Sequence, residues 1–516
     1  MRTAKITRAF CVALGCILVT LGTAMHLPMF LMARDMGYML AGMPMSPDML
    51  WGMAIELVGM ALAMFGLAPA HIDRSYAIEA RVVSTDTPLN AKHWWLLVAI
   101  CLGLIIDVMK PASLGFVVPG MRSEYQIPTA TVAWLPFSAL IGTVAGSLVW
   151  GALADFYGRR SSIFLSAIMF VGTAICGAMP SFWWNVAMCF LMGMSAGGML
   201  PVAYALLTET MPSKHRGWML VLSGAVGAVG GYYAASECSA LLQPIFGWRI
   251  LWFMNIPTGL LLIGLAIFLP ESPKYLLLIG NISEAEKVLK RFGSLLVQGA
   301  GRKVTDRSLI PGPAVVLTLT VAGLSWSIIN FGLLLWFPAD LVANGLSVST
   351  VSAFLAKSSL VSFAIVLVAC PLYTLWSTKW TVVVMATSAV VGLAGVIYVD
   401  SLGGKIPPIA VIGLLMFGAS GLLATLLPYT SELFPAEIRG RATGWVAGCT
   451  KAGGLVVQAL ALLGIAPKIG LIASVVAVLL VLAVLGISLV GIETKDHHVD
   501  DDVASSSAAA IATENS

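Results

Sequence analysis

The sequence predicts an all-α polytopic membrane protein of fourteen spans, two six-helix halves preceded by two additional N-terminal helices. Three observations carry this. Of 516 residues, 59% are hydrophobic and only 10% charged, too few polar groups to cover a soluble domain of this size. Apolar runs of about 20 residues, enough to cross a hydrocarbon core of roughly 30 Å, recur along the chain. Finally, Glu209-Thr-Met-Pro212-x-x-x-Arg216-Gly217 returns as Glu432-Leu-Phe-Pro435-x-x-x-Arg439-Gly440 after an offset of 223 residues, which in an apolar chain marks two repeated membrane halves.

The spans 9–32 and 49–68 stand outside the repeat, in a methionine-rich appendage that ends in a charged connector, 1–94 in all. Spans 95–119, 131–153, 162–179, 183–207, 218–240 and 250–269 make the first half, 95–270. A linker, 271–312, carries Ser283-Glu-Ala-Glu286 ahead of Val288, Leu289 and Phe292, the capping-box pattern of a short amphipathic helix. Spans 314–337, 351–373, 381–398, 408–428, 442–465 and 469–492 make the second half, 313–495. The tail, 496–516, is acidic at Asp500 to Asp502 and then Ser/Ala-rich, with too little apolar surface to fold.

The net charge of +4 is spread over connecting loops, which excludes a nucleic-acid surface. With a cytoplasmic N-terminus, 21 of the 29 lysines and arginines fall on the inner side and five outside, so both termini are expected to be cytoplasmic in a bacterial inner membrane. Arg2, Lys5 and Arg8 precede an apolar run too long for a cleaved signal, and the run is expected to be retained. The eight cysteines lack metal-ligand spacing. No phosphate loop, nucleotide fingerprint or nucleophile elbow stands out. The expectation is therefore no enzyme, no cofactor, and work driven by an ion gradient.

Gly151-Ala-Leu-Ala-Asp155-Phe-Tyr-Gly158-Arg159-Arg160 resembles the G-x-L-x-D-x-x-G-R-[RK] loop of the major facilitator superfamily. The paired E-x-x-P-x-x-x-R-G loops, Pro270-Glu271-Ser272-Pro273-Lys274 and Gly491-Ile-Glu493-Thr494-Lys495 extend the resemblance over about 89–495. They look like the branch of sugar porters, synaptic-vesicle-protein-like members and metabolite:proton symporters. The resemblance implies that Gly151, Asp155, Gly158, Arg159 and Arg160, with Glu209 and Arg216, Glu432 and Arg439, form gates and loop ion pairs. Two departures stand out: Cys189 occupies the place of an expected fourth-span arginine, and Thr374 to Trp380 lacks the aspartate and glycines of its first-half counterpart. The seventh core span, Ser325-Trp-Ser-Ile-Ile-Asn330-Phe-Gly-Leu-Leu-Leu-Trp336-Phe-Pro338, lacks the glutamines and tyrosines of sugar porters. It looks more like transporters of organic acids and nicotinate.

A charge at mid-bilayer costs about 2.5–3.5 kcal/mol even on the lenient scale, so such residues mark a water-filled path or an ion pair. Asp107 and Lys110 in the first core span share one helical face, and Pro111, Gly115 and Pro119 are expected to break the helix close by. The offset maps Asp107 onto Asn330 and Lys110 onto Leu333. Asp107 is either a carboxylate that gains and loses a proton or half of a permanent pair with Lys110. Lys357 and Lys451 are the other buried cations, and Lys110, Lys357, Lys451 and Asn330 are the candidates for holding a carboxylate substrate. Glu237 is a second candidate for protonation. Trp134 and Trp326 either wall an aromatic substrate or serve packing and interface anchoring.

These residues lead to a proton-coupled symporter for a small organic anion, a carboxylate or aromatic acid, working by alternating access as a monomer in the bilayer. Eleven methionines between Met25 and Met64 leave a second reading, copper transport, with Met36, Met39, Met43 and Met45 as candidate thioether ligands. A non-transporting membrane sensor is the third.

Overall fold

The computed structural model describes residues 2–69, 80–84, 88–298, 311–402, 407–434, 436–465 and 468–495. Arg74, Arg302, Lys303, Arg307, Lys405 and the tail from 496 lie outside the described residues, as do the side chains of Arg439 and Gly440. Among the described residues, fourteen helices are long and apolar enough to cross a membrane. In chain order they are α1 (Ile6–Met36), α2 (Pro47–Leu67), α3 (Ala91–Tyr125), α4 (Thr129–Tyr157), α5 (Arg159–Ala178), α6 (Phe182–Thr210), α7 (Lys214–Phe246), α8 (Ile250–Phe268), α9 (Pro313–Ala343), α10 (Val348–Trp376), α11 (Thr378–Asp400), α12 (Pro408–Leu433), α13 (Arg441–Leu462) and α14 (Ile469–Val490).

The added pair α1 and α2 is held by glycines. A Cβ at Gly15 would lie 2.6 Å from the Gly59 carbonyl oxygen, and one at Gly52 would lie 2.7 Å from that of Gly22. Any side chain at these positions would force the helices apart, so bare backbone sets the spacing. The pair packs on α5. The loop between α1 and α2 is clipped to the end of α3, where Glu124 accepts the Leu40 and Ala41 N–H groups at 2.6 and 2.9 Å. Glu124 also pairs with the fully buried Arg249 at 2.7 Å. Arg249 in turn donates to the Met179 carbonyl at 2.8 Å and the Tyr125 hydroxyl at 2.9 Å.

Two expectations are corrected. Pro111 and Pro119 do not break α3, which runs as one helix of 35 residues; without competing water, the neighbouring helices keep the rest of its backbone ladder intact. The break falls instead at the repeat-related position in α9, where Ile328–Leu334 widens into a π-helical turn. Second, the linker helix Ile282–Arg291 is capped by Asn281, whose side chain accepts from the Glu284 N–H, not by Ser283. Gly280, at φ +71°, turns the chain into that cap. The linker also carries a strand that the hydrophobic pattern does not announce: β2 (Ser294–Gln298) pairs antiparallel with β1 (Ala80–Ser84) of the connector, Ala80 opposite Gln298.

The halves touch at both ends of the bundle. At the end carrying the Asp155 loop, a Cβ on Gly217 of α7 would lie 2.9 Å from Glu432 Oε1 of the second half. At the opposite end, one on Gly115 of α3 would lie 2.7 Å from the Leu335 carbonyl of α9, and the Ser239 and Ser352 hydroxyls are 2.7 Å apart.

Candidate functional site

The loop between α4 and α5 is built around a carboxylate. Glu271, just after α8, accepts the N–H groups of Arg159 at 2.7 Å, Arg160 at 3.2 Å and Ser272 at 2.9 Å. It therefore sits at the positive end of α5. Burial holds its carboxyl above the ordinary range, against the pull of these donors and of Arg160. Gly158 explains itself: its φ is +96°, and a Cβ there would meet Glu271 Oε1 at 2.8 Å. Gly151, by contrast, has nothing among the described residues within 4 Å of that position. Arg159 bonds Asp155 at 2.9 Å and faces Glu209 at 3.5 Å, and the Ser272 hydroxyl donates to Glu209.

The second half repeats the arrangement despite its lost motif. Glu493, just after α14, accepts from the Thr378 N–H at 2.9 Å, the Thr378 hydroxyl at 2.6 Å and the Ser377 hydroxyl. Burial pushes its carboxyl up, but the donors from Ser377, Thr378 and Lys495 outweigh that and hold it below the usual range. Thr494 donates to Glu432 at 2.9 Å, as Ser272 does to Glu209, and the Tyr373 hydroxyl adds a bond at 2.8 Å.

At mid-membrane the structure gathers some of the sequence candidates and separates others. Asp107 and Lys110 of α3 are buried, and among the described residues Asp107 Oδ1 and Lys110 Nζ each lack a hydrogen-bond partner. Their sharing of a helical face does not make a direct pair. Lys110 turns to α5, where Nζ stands 3.2 Å above the Phe170 ring. Asp107 lies in the electrostatic reach of Lys451 of α13, in the other half, as well as of Lys110. Lys451 Nζ stands 5.8 Å from the Trp326 ring and 5.6 Å from the Phe331 ring, both on α9, within cation–π range. Trp326 is fixed by its Nε1 donating to the Ala419 carbonyl at 2.9 Å. Asn330 sits half-buried in the π-helical turn.

Lys357 is exposed, on the stripe of α10 that also carries Leu360 and Val361, each 56% exposed. Trp134 is 40% exposed and stacks edge-on with Phe137 and the exposed Trp183, the placement of an interfacial anchor. Glu237 is half-buried in α7. Met36 and Met39 are exposed, whereas Met43 and Met45 pack on a cluster that includes Phe30, Tyr38 and Phe253.

Sequence reasoning passes over two polar groups. Gln458, buried in α13, donates to the Phe331 carbonyl at 2.6 Å and accepts from Trp336 Nε1 at 3.2 Å, holding the widened turn. Glu56, in the added helix α2, is bonded to Thr23 of α1 at 2.6 Å. It lies outside the repeat and in no motif; an ionisable residue in a span is its one signal.

Two repeated six-helix halves meeting around buried charges define a membrane transporter. The chain belongs to the Major Facilitator Superfamily, whose family model matches residues 95–458. It is 27% identical to a niacin transporter of Acinetobacter baylyi, over 72% of this chain and 87% of that protein. A 4-hydroxybenzoate transporter of the same organism is 29% identical over 43% of this chain and 49% of its own length. A synaptic vesicle 2-related protein of Bos taurus is 29% identical over 39% of this chain and 37% of its own. Among solved structures, the proton:xylose symporter XylE superposes with a TM-score of 0.64 at 18% identity, covering 78% of this chain and 96% of that one. That likeness concerns the fold.

Proposed function

We propose that the protein moves a small organic anion, an aromatic carboxylate, across the membrane together with a proton by alternating access. One observation carries the reading: the buried Lys451, set against Trp326 and Phe331, lies within electrostatic reach of the Asp107 carboxylate of the opposite half. A cation beside an aromatic wall suits a ring that bears a carboxylate, as niacin and 4-hydroxybenzoate both do. An anion arriving at Lys451 would repel an ionised Asp107, so protonation of Asp107 favours its binding, and its release favours loss of the proton. Lys110 adds positive charge from one turn away, lowering the cost of holding an anion in the membrane. The two carboxylate-centred loops act as the latches of alternating access. The protein would work as a monomer in the cell membrane with both termini on the cytoplasmic side.

The test is uptake of labelled nicotinate and 4-hydroxybenzoate into proteoliposomes under an imposed pH gradient. The expected result is gradient-driven accumulation that Asp107→Asn abolishes while substrate exchange persists. Gradient-driven accumulation unchanged in that variant removes Asp107 from the mechanism.

A further inference from the structure

We propose that the cleft between α9 and α13, at the end that carries the Asp155 loop, is a binding site for an anionic phospholipid, which lays an acyl chain between the helices and sets its phosphate on Arg441. The cleft is a cavity of about 250 Å³, lined by Val316 and Leu319 of α9 and by Ile438, Arg441, Trp445 and Val446 at and just before the start of α13. Arg441 is exposed at its rim, and among the described side chains no carboxylate pairs with it. Trp445, 59% exposed, spends its one N–H on the Thr320 hydroxyl of α9 at 2.9 Å, which fixes the ring across the cleft. Trp445 shares a stripe of α13 with Val456 and Leu463, both exposed. In a membrane span such a stripe meets hydrocarbon, so the cleft opens toward lipid. A guanidinium beside an indole at a helix end is the pairing of the membrane interface. In the orientation proposed above, this end meets the leaflet that holds anionic headgroups.

The repeat shows that the cleft is a departure from the first half. The offset of 223 holds in the packing: a Cβ on Gly231 would lie 2.6 Å from Val108 Cβ, and one on Gly454 would lie 2.7 Å from Phe331 Cβ. The same offset maps Val316, Ile438 and Arg441 onto His93, His215 and Trp218. There the place is filled by rings. His93 is buried with Phe292 of the linker edge-on at 5.2 Å, Trp218 Nε1 donates to His215 Nδ1 at 3.2 Å, and the Trp94 ring stands 6.0 Å from that of Trp218. A counterpart of the linker would lie beyond Lys495, outside the described residues. Residues 496–516 include no aromatic side chain, so they cannot supply a second Phe292, whereas an acyl chain suits an aliphatic cleft.

The same two helices carry Trp326, Phe331 and Lys451. Lys451 follows Arg441 by ten residues, roughly 15 Å along the helix. An acyl chain wedged at one end of the pair fixes their spacing and steadies the cation against its aromatic wall. That consequence rests on the anion-transport reading above; the lipid site itself does not.

The test is native mass spectrometry of full-length protein taken from liposomes of phosphatidylcholine and phosphatidylglycerol. Wild type is expected to retain phosphatidylglycerol in preference to phosphatidylcholine. Arg441→Gln keeps the cleft and removes the charge, and should lower that retention about fivefold or more, as expected for one basic residue at an anionic membrane surface. Ala442→Phe keeps the charge and fills the cleft, which Ala442 also lines, and should abolish retention. Retention unchanged in Arg441→Gln, or equal retention of the two lipids by wild type, overturns the inference. Retention that appears only when residues 496–516 are deleted assigns the cleft to the tail and overturns it as well. If Ala442→Phe does not fold, Arg441→Gln decides, since an exposed side chain can be replaced without disturbing the packing. Nicotinate uptake separates this inference from the transport reading: wild-type uptake is expected to rise when phosphatidylglycerol is present. No uptake in either liposome, with selective retention intact, would overturn the transport reading and leave the lipid site standing.

Discussion

Glu271 and Glu493 hold equivalent places in the two halves, each accepting the leading N–H of the third helix of its half, Arg159 in one and Thr378 in the other. The loop sequences they cap have diverged, and a serine and a threonine stand where the first half has glycine and arginine. The carboxylate and the dipole it meets have been kept.

Removing either carboxylate strands several donors. Glu271→Ala is expected to lower stability by about 1.5–3 kcal/mol, the range for hydrogen bonds to charged groups. Glu493→Ala, which strands the donors of Ser377 and Thr378 at an equally half-buried position, is expected to fall in the same range. Thermal-shift measurement in detergent checks both.

Two glycines of the same loop should behave oppositely. Gly158→Ala places a methyl against Glu271 at a left-handed φ, so melting temperature and uptake should both fall. Gly151→Ala has open space and should match wild type in both.

Lys451 and Lys357 look alike in the sequence and part company in the structure. Lys451→Met should raise the KM for nicotinate about tenfold or more, as expected for losing a charge-assisted contact of about 1.5–3 kcal/mol. Lys357→Met should leave KM unchanged, because that side chain lies on an exposed stripe. Equal effects from the two would displace the binding site from Lys451.

The Glu124–Arg249 pair is buried on both sides, at 4% and 0% exposure. Arg249→Met leaves a carboxylate without its cation and should cost about 3–5 kcal/mol. The same change should loosen the loop at Leu40 and Ala41, since Glu124 holds their N–H groups. Faster cleavage of that loop by an added protease would register it.

The sequence by itself determined the membrane class, the fourteen spans, the two halves and the charged loops between helices, because each is written in local chemistry: runs of apolar residues, a repeated motif, a glycine turn beside charge. It also supplied Asp107, Lys110 and Lys451 as charges that hydrocarbon penalises. Only the tertiary structure decided which of them meet. A shared helical face suggested that Lys110 belongs to Asp107, yet the side chain turns to Phe170 on α5, and Asp107 comes within electrostatic reach of Lys451, more than 300 residues away in sequence, as well as of Lys110. The prolines of α3 implied a break, and the widened turn came in α9, where Gln458 takes up the Phe331 carbonyl. Glu56 was invisible as a partner of anything until α1 and α5 closed around it. Periodicity reports one helix at a time, whereas the energy of a buried charge is set by whatever the neighbouring helices bring to it.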